Sequence, residues 1–158
     1  MENLSREETV DLAKWYAEKG FLCSEAVLLA TCALLGIEND IIPQIATGFG
    51  AGIGRHGSVC GAVSGAIISL GLRFGRKTPE TQQATNGKRP YWYASEFLSK
   101  FMESRKSYSC NNLTGCDISK PEGLAKYRKE NHWETTCRDL IGEATSLVYD
   151  MLANNEEV

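Results

Sequence analysis

Apolar residues recur three and four positions apart over most of the chain, and no stretch alternates apolar with polar residues as a half-buried strand would. The pattern predicts an all-α fold. Ser5-Arg6-Glu7-Glu8 is a capping box, and the helix it opens stops at Gly20 with Val10, Ala13, Tyr16 and Ala17 on its buried side. Ser24 is placed as the N-cap of a second helix over 25–35, closed by Gly36. Asn39 caps a short helix with Pro43 in its first turn, ending at Gly48. A helix over 58–74 follows and is closed by Gly75; Thr78 opens a further segment that Asn86-Gly87-Lys88-Arg89-Pro90 breaks. Over 91–105 the stripe Ala94, Phe97, Leu98, Phe101 and Met102 has ordinary core spacing. Residues 109–117 read as a loop, and Ser119 caps a modest helix to Lys129. The last helix, over 133–152, faces inward with Leu140, Ile141, Ala144, Leu147, Val148 and Met151. These elements predict a compact bundle of about six helices in one domain over 1–158, with a glycine-rich loop between helices.

That loop organises the chain. Gly48, Gly50, Gly52, Gly54 and Gly57 fall within ten residues and lead to Cys60. A flexible linker would be polar and serine-rich, whereas Phe49, Ala51 and Ile53 stand between these glycines. A folded, partly buried loop is expected, in which glycine supplies positive φ or admits a close neighbour. In the helix that follows, Gly61 and Gly65 lie four apart on one face. Each glycine costs about 1 kcal/mol relative to alanine inside a helix. Close packing against another helix or a bound group is the expected compensation.

At 158 residues the chain is long enough for a sizeable core. A net charge of −3 and a pI near 5.5 argue against a nucleic-acid partner. No apolar run approaches the length of a membrane span, and the first residues lack the basic and apolar regions of a signal peptide. A soluble cytoplasmic protein is expected. In that compartment the six cysteines point to metal or redox chemistry more than to static disulfides.

Cys23, Cys60 and Cys137 each fall at or near an expected helix start, and Cys110 falls in the loop over 109–117. Free N–H groups and the positive end of the helix dipole favour a thiolate there. Cys60 is therefore expected to be a thiol of lowered pKa. Cys32 lies nine residues beyond Cys23, about 180° round the same helix, and reads as a small buried hydrophobe. Gly52-Ile53-Gly54-Arg55-His56-Gly57 matches G-x-G-x-x-G, but the strand a dinucleotide fingerprint needs before it is missing. No C-x-x-C pair signals a zinc ribbon or a thioredoxin-type site, and without C-x-x-C-H covalent c-type haem is not indicated. His56 is a candidate base or ligand beside Cys60, weighed against a solvated loop histidine; His132 reads more firmly as structural, and Arg55 could hold an anion.

The cysteine order, with Cys60-Gly61-Ala62-x-x-Gly65 behind its glycine loop, resembles the redox-active family named for the pattern C_GCAxxG_C_C, over about residues 21–148. The resemblance implies a small helical protein with four characteristic cysteines, here Cys23, Cys60, Cys110 and Cys137, assigned to redox chemistry with no established reaction. Cys32 and Cys116 fall outside the pattern, and the break at Asn86–Pro90 looks like an insertion. The family is also similar to split-Soret cytochromes, whose haem-attachment motif this chain lacks. Two chemistries follow as expectations. In the first, Cys60 is the reactive thiol, Cys23, Cys110 or Cys137 resolves it, and Gly50, Gly52, Gly54, Gly57 and His56 line the room for a cofactor or substrate. In the second, Cys23, Cys60, Cys110 and Cys137 converge as ligands of zinc or an iron–sulfur cluster. A helical accessory protein that pairs as a homodimer through its small-residue helix is the third expectation. A redox partner or small molecule, of identity the residues do not specify, goes with the first two.

Overall fold

In a computed structural model that describes residues 3–79 and 89–154, those residues form eight α-helical segments and no strand, so the expected all-α class is borne out. Helix α1 (Arg6–Glu18) starts at the predicted capping box: the Ser5 N–H donates to the Glu8 carboxylate at 2.8 Å and the Glu8 N–H donates to the Ser5 hydroxyl at 3.2 Å. Helix α2 (Cys23–Leu35) begins earlier than expected, with Leu22 and not Ser24 at the N-cap. Glu25 decides this. Its carboxylate accepts from the Leu22 N–H at 2.9 Å and from the Thr47 hydroxyl at 2.6 Å. Ser24 instead donates its buried hydroxyl to the Ala46 carbonyl at 2.7 Å.

Gln44–Phe49 form a 3₁₀ helix just after Pro43, running one residue past the expected end at Gly48. A four-residue turn, α3 (Gly50–Ile53), leads through the rest of the glycine loop to α4 (Gly61–Phe74). Next come α5 (Trp92–Arg105), α6 (Cys110–Thr114) and α7 (Pro121–Lys129). The π-helical turn Trp133–Cys137 runs directly into α8 (Arg138–Ala153), which completes the chain. Much of the predicted break at Asn86–Pro90, and most of the segment ahead of it, lies outside the described residues.

Helices α1, α2, α4 and α8 pack on one another, and α5 covers α4 and α8. The core is continuous through Ala13, Val27, Val63, Ala66, Phe97, Phe101, Ile141 and Val148. On α5 the buried face is Tyr93, Phe97 and Phe101, with the Tyr93 ring stacked on Phe74 at 3.9 Å, whereas Met102 from the expected stripe is exposed. Cys32 sits apart with Leu28 and Ala46 in a small second cluster, the buried hydrophobe the sequence indicates. No helix among the described residues is long and apolar enough to cross a membrane.

The most extensive helix pairing is α2 with α4, and its closeness rests on glycine. A Cβ added at Gly61 would lie 2.2 Å from the Cys23 sulfur, and one at Gly65 would lie 2.5 Å from the Ser24 carbonyl oxygen. The buried hydroxyls of Thr31 and Ser69 meet at 2.5 Å farther along the same seam. The expected close packing of this helix face is thus supplied by α2. Gly71, in the same helix, has open space around it.

The two positions should respond oppositely to alanine. Gly65→Ala gains about 1 kcal/mol of helix propensity but forces the helices apart, and overpacking of that kind costs about 1–3 kcal/mol. Gly71→Ala keeps the gain and meets nothing. Urea unfolding should therefore show a lowered midpoint for Gly65→Ala and a raised one for Gly71→Ala.

Candidate functional site

Cysteines occupy three helix starts and the junction of a π-helical turn with α8, and the four meet. Cys23 is the first residue of α2, Cys60 is the N-cap of α4, Cys110 is the first residue of α6, and Cys137 stands at the N-cap of α8. All four line one cavity of about 180 Å³ whose wall is nearly all apolar, with Leu22, Ala51, Ile118, Leu124, Trp133 and Leu140 among its neighbours. Cys110 is thus not in a loop, as the sequence suggests. Ser109 caps α6 by accepting from the Asn112 N–H, and Gly115 closes it in the left-handed conformation.

The glycine loop builds one side of this cavity. Ala51, Gly52, Ile53, Gly54, Arg55 and Gly57 all have positive φ, which curls the chain tightly against α6. A Cβ on Gly52 would strike the Ser58 nitrogen and the Cys110 Cβ, and one on Gly57 would fall inside the Asn111 side chain. Backbone bonds fasten the two segments: Cys60 N–H to Tyr108 C=O at 2.7 Å, Cys110 N–H to Ser58 C=O at 2.6 Å, and Asn111 N–H to Gly57 C=O at 3.1 Å. The room at Gly50, Gly52 and Gly57, expected to admit a cofactor or substrate, is filled by Leu22, Cys110 and Asn111 of the protein itself. Gly54 is open and exposed. His56 is exposed and does not line the cavity, so its placement is that of a solvated loop residue; Arg55 reaches the rim.

Burial dominates the ionisation of the thiols. All six cysteines are free. Desolvation pushes the Cys23 and Cys60 thiols well above the ordinary value of 9.0, and the neighbouring Cys23 thiol pushes Cys60 further. Desolvation raises Cys110 to about 12 and Cys137 to about 11. The expected low-pKa Cys60 is therefore not what the fold produces. Its helix start does supply N–H groups, from Ala62 and Val63, but loss of water outweighs them.

Those N–H groups nonetheless aim at sulfur. The backbone amides of Ala51, Ser24, Cys23 and Gly61 favour the charged form of Cys23, and those of Val63 and Ala62 favour it at Cys60. The Tyr127 hydroxyl lies 3.1 Å from the Cys137 sulfur and favours the thiolate there. Burial and the nearby Cys137 hold that phenol above its usual range, so it stays a donor. Each of these donors would stabilise thiolates only once something else offsets their desolvation.

Among the described residues, Cys116, Glu130 and His132 form the one group whose metal-ligating atoms all lie within 4.8 Å of one another. No three of the four cavity sulfurs come that close together. Tyr127 and Trp133, which complete the cavity, carry no signal in the sequence, where each sits among polar neighbours. Glu25 could have been found, because Leu22-x-x-Glu25 has the spacing of a capping box with an unusual first residue.

No curated protein and no solved structure matches the chain. A family model described as "Putative redox-active protein (C_GCAxxG_C_C)" matches residues 21–151, a stretch that holds all four cavity cysteines together with the glycine loop. The chain belongs to the C_GCAxxG_C_C family.

Proposed function

We propose that the protein is a redox protein whose centre is an iron–sulfur cluster held by the thiolates of Cys23, Cys60, Cys110 and Cys137. One observation carries this reading: four thiols from four separate segments line a single apolar cavity. The separation of the sulfurs favours a cluster over a single ion. Thiolates bound at about 2.3 Å to one tetrahedral zinc lie about 3.8 Å apart, closer than any three of these sulfurs approach. In a four-iron cluster each thiolate binds a different iron, which suits a wider set.

Thiol–disulfide exchange is the weaker alternative. An attacking thiol needs a substantial thiolate fraction and access. Here burial raises all four thiols, and Cys60 is only 6 % exposed. Metal ions reverse that balance by binding the deprotonated sulfur and releasing its proton. A bound cluster would supply one-electron transfer to a redox partner. The protein's own part is to exclude water with Leu22, Ile118, Leu124 and Trp133, and to place amide and phenol donors against the sulfurs. Such donors, together with burial, set the reduction potential of a cluster.

Anaerobic reconstitution with ferrous iron and sulfide tests the proposal. The expected product is coloured, is bleached by dithionite and protects four of the six thiols from alkylation. Cys60→Ala or Cys23→Ala should lower bound iron at least about tenfold, while Cys32→Ala leaves it unchanged. A colourless, iron-free protein that reversibly forms a disulfide between two of the four would overturn it.

The raised thiols also give the metal-free protein a pH signature. Below the ordinary thiol value of 9.0 both folded and unfolded chains keep these protons, so the burial costs nothing. Above it the unfolded chain ionises while the folded one does not, until the thiols reach about 11 at Cys137 and about 12 at Cys110. Unfolding then releases protons, and stability falls with rising pH. Denaturant midpoints of the reduced metal-free protein should be flat from pH 6 to 8 and decline steadily above about pH 9.

A further inference from the structure

Cys116, Glu130 and His132 belong neither to the cavity wall nor to the hydrophobic core around α2 and α4. They come from two separate turns, one after α6 and one after α7. One sulfur, one carboxylate oxygen and one imidazole nitrogen lie within 4.8 Å of one another. Sequence alone gives no warning of the group, because no pair in it has the C-x-x-C or H-x₃-H spacing of a familiar site.

Three details favour a metal over a chance cluster. Cys116 is 2 % exposed, so its sulfur is held in place and not mobile on the surface. His132 is positioned from behind: Nδ1 lies 2.9 Å from the Thr136 hydroxyl, leaving Nε2 to face Glu130 at 2.7 Å. Bonding of the far ring nitrogen to a fixed neighbour is how protein imidazoles are oriented toward metals. Glu130 is half-exposed and can move. Tetrahedral oxygen and nitrogen ligands at about 2.1 Å from zinc lie about 3.4 Å apart, so the Glu130–His132 pair, now at 2.7 Å, needs to open by about 0.7 Å.

We propose that Cys116, Glu130 and His132 bind a single divalent transition metal of the zinc class, with the fourth position open to water. The thiol proton of Cys116 passes to solvent on binding, the imidazole binds neutral, and no electron moves. Sulfur, nitrogen and oxygen ligands together suit zinc better than magnesium or calcium. This site does not depend on the cluster reading. Its consequence for the cavity is mechanical. Helix α7 has no buried residue, yet it carries Tyr127, whose hydroxyl faces Cys137 and whose ring lies 5.7 Å from the His132 ring. Cys116 in turn packs with Cys110 and Ile118. A metal joining Cys116 to His132 pins the segments bearing Cys110, Tyr127 and Cys137 to one another.

The test is zinc binding by the reduced, iron-free full chain, followed by equilibrium dialysis and repeated with cobalt(II) for its thiolate charge-transfer band. Wild type should bind one equivalent, and the cobalt band should have the intensity of a single thiolate. His132→Ala and Cys116→Ala should each weaken binding at least about 100-fold, and Glu130→Gln, a conservative surface change, at least about tenfold. Zinc should raise the melting temperature of the wild type and of Cys60→Ala, but not that of His132→Ala. Zinc that survives His132→Ala and Glu130→Gln, or that is lost in Cys60→Ala with a multi-thiolate cobalt spectrum, overturns the proposal, because the ion then sits among the four cysteines. No zinc binding by folded wild type overturns it as well, and leaves the iron–sulfur result untouched.

Discussion

Helices α2 and α4 approach so closely at Gly61 and Gly65 that a single Cβ would collide with the Cys23 sulfur or the Ser24 backbone. The site depends on this contact. It puts the first turn of α2 beside that of α4, and with them Cys23 beside Cys60. A side chain at either glycine would have to push α2 and α4 apart, and Cys23 away from Cys60 with them. The glycines therefore give up helix propensity for a geometry that only bare backbone allows. The Thr31–Ser69 hydroxyl pair then keeps the seam satisfied where it is driest.

The remaining two thiols are brought in by a different device. The glycine loop folds back through a run of left-handed residues and bonds to residues 108–111, carrying Cys110 to the same cavity. Cys137 arrives on α8, through a π-helical turn that offsets the helix start from the turn before it. An extra residue in a helical turn re-aims the side chains around it. The starts of α2 and α4 thus present amide N–H groups to the sulfurs of Cys23 and Cys60, and Cys110 and Cys137 bring two more sulfurs to the same small space. The apolar wall that makes those N–H groups effective also makes bare thiolates costly.

Much of this was legible. The helical periods were strong enough to predict α1, α2, α4, α5 and α8 within a few residues, and the excess of small residues at Gly61 and Gly65 foretold a close helix partner. What misled were the ends. Ser24 looks like a cap because serine usually is one, but Glu25 and Thr47 outbid it through a contact 22 residues away. Cys110 looked like a loop residue because α6 is only five residues long and shows no period. The ionisation of Cys60 escapes the sequence for a related reason: the helix start lies within three residues of the expected one, but the water Cys60 loses depends on residues distant in the chain.

The sequence by itself determined the helices, the four-cysteine pattern and the family, because periodicity, caps and motif spacing are local and are written in consecutive residues. Only the tertiary structure decided that four distant cysteines share one cavity, that its glycines admit the protein's own chain, and that Tyr127 joins Cys137. It alone also brought Cys116 beside Glu130 and His132. Burial, electrostatics and ligand geometry are sums over neighbours in space, and no spacing along the chain encodes who those neighbours are.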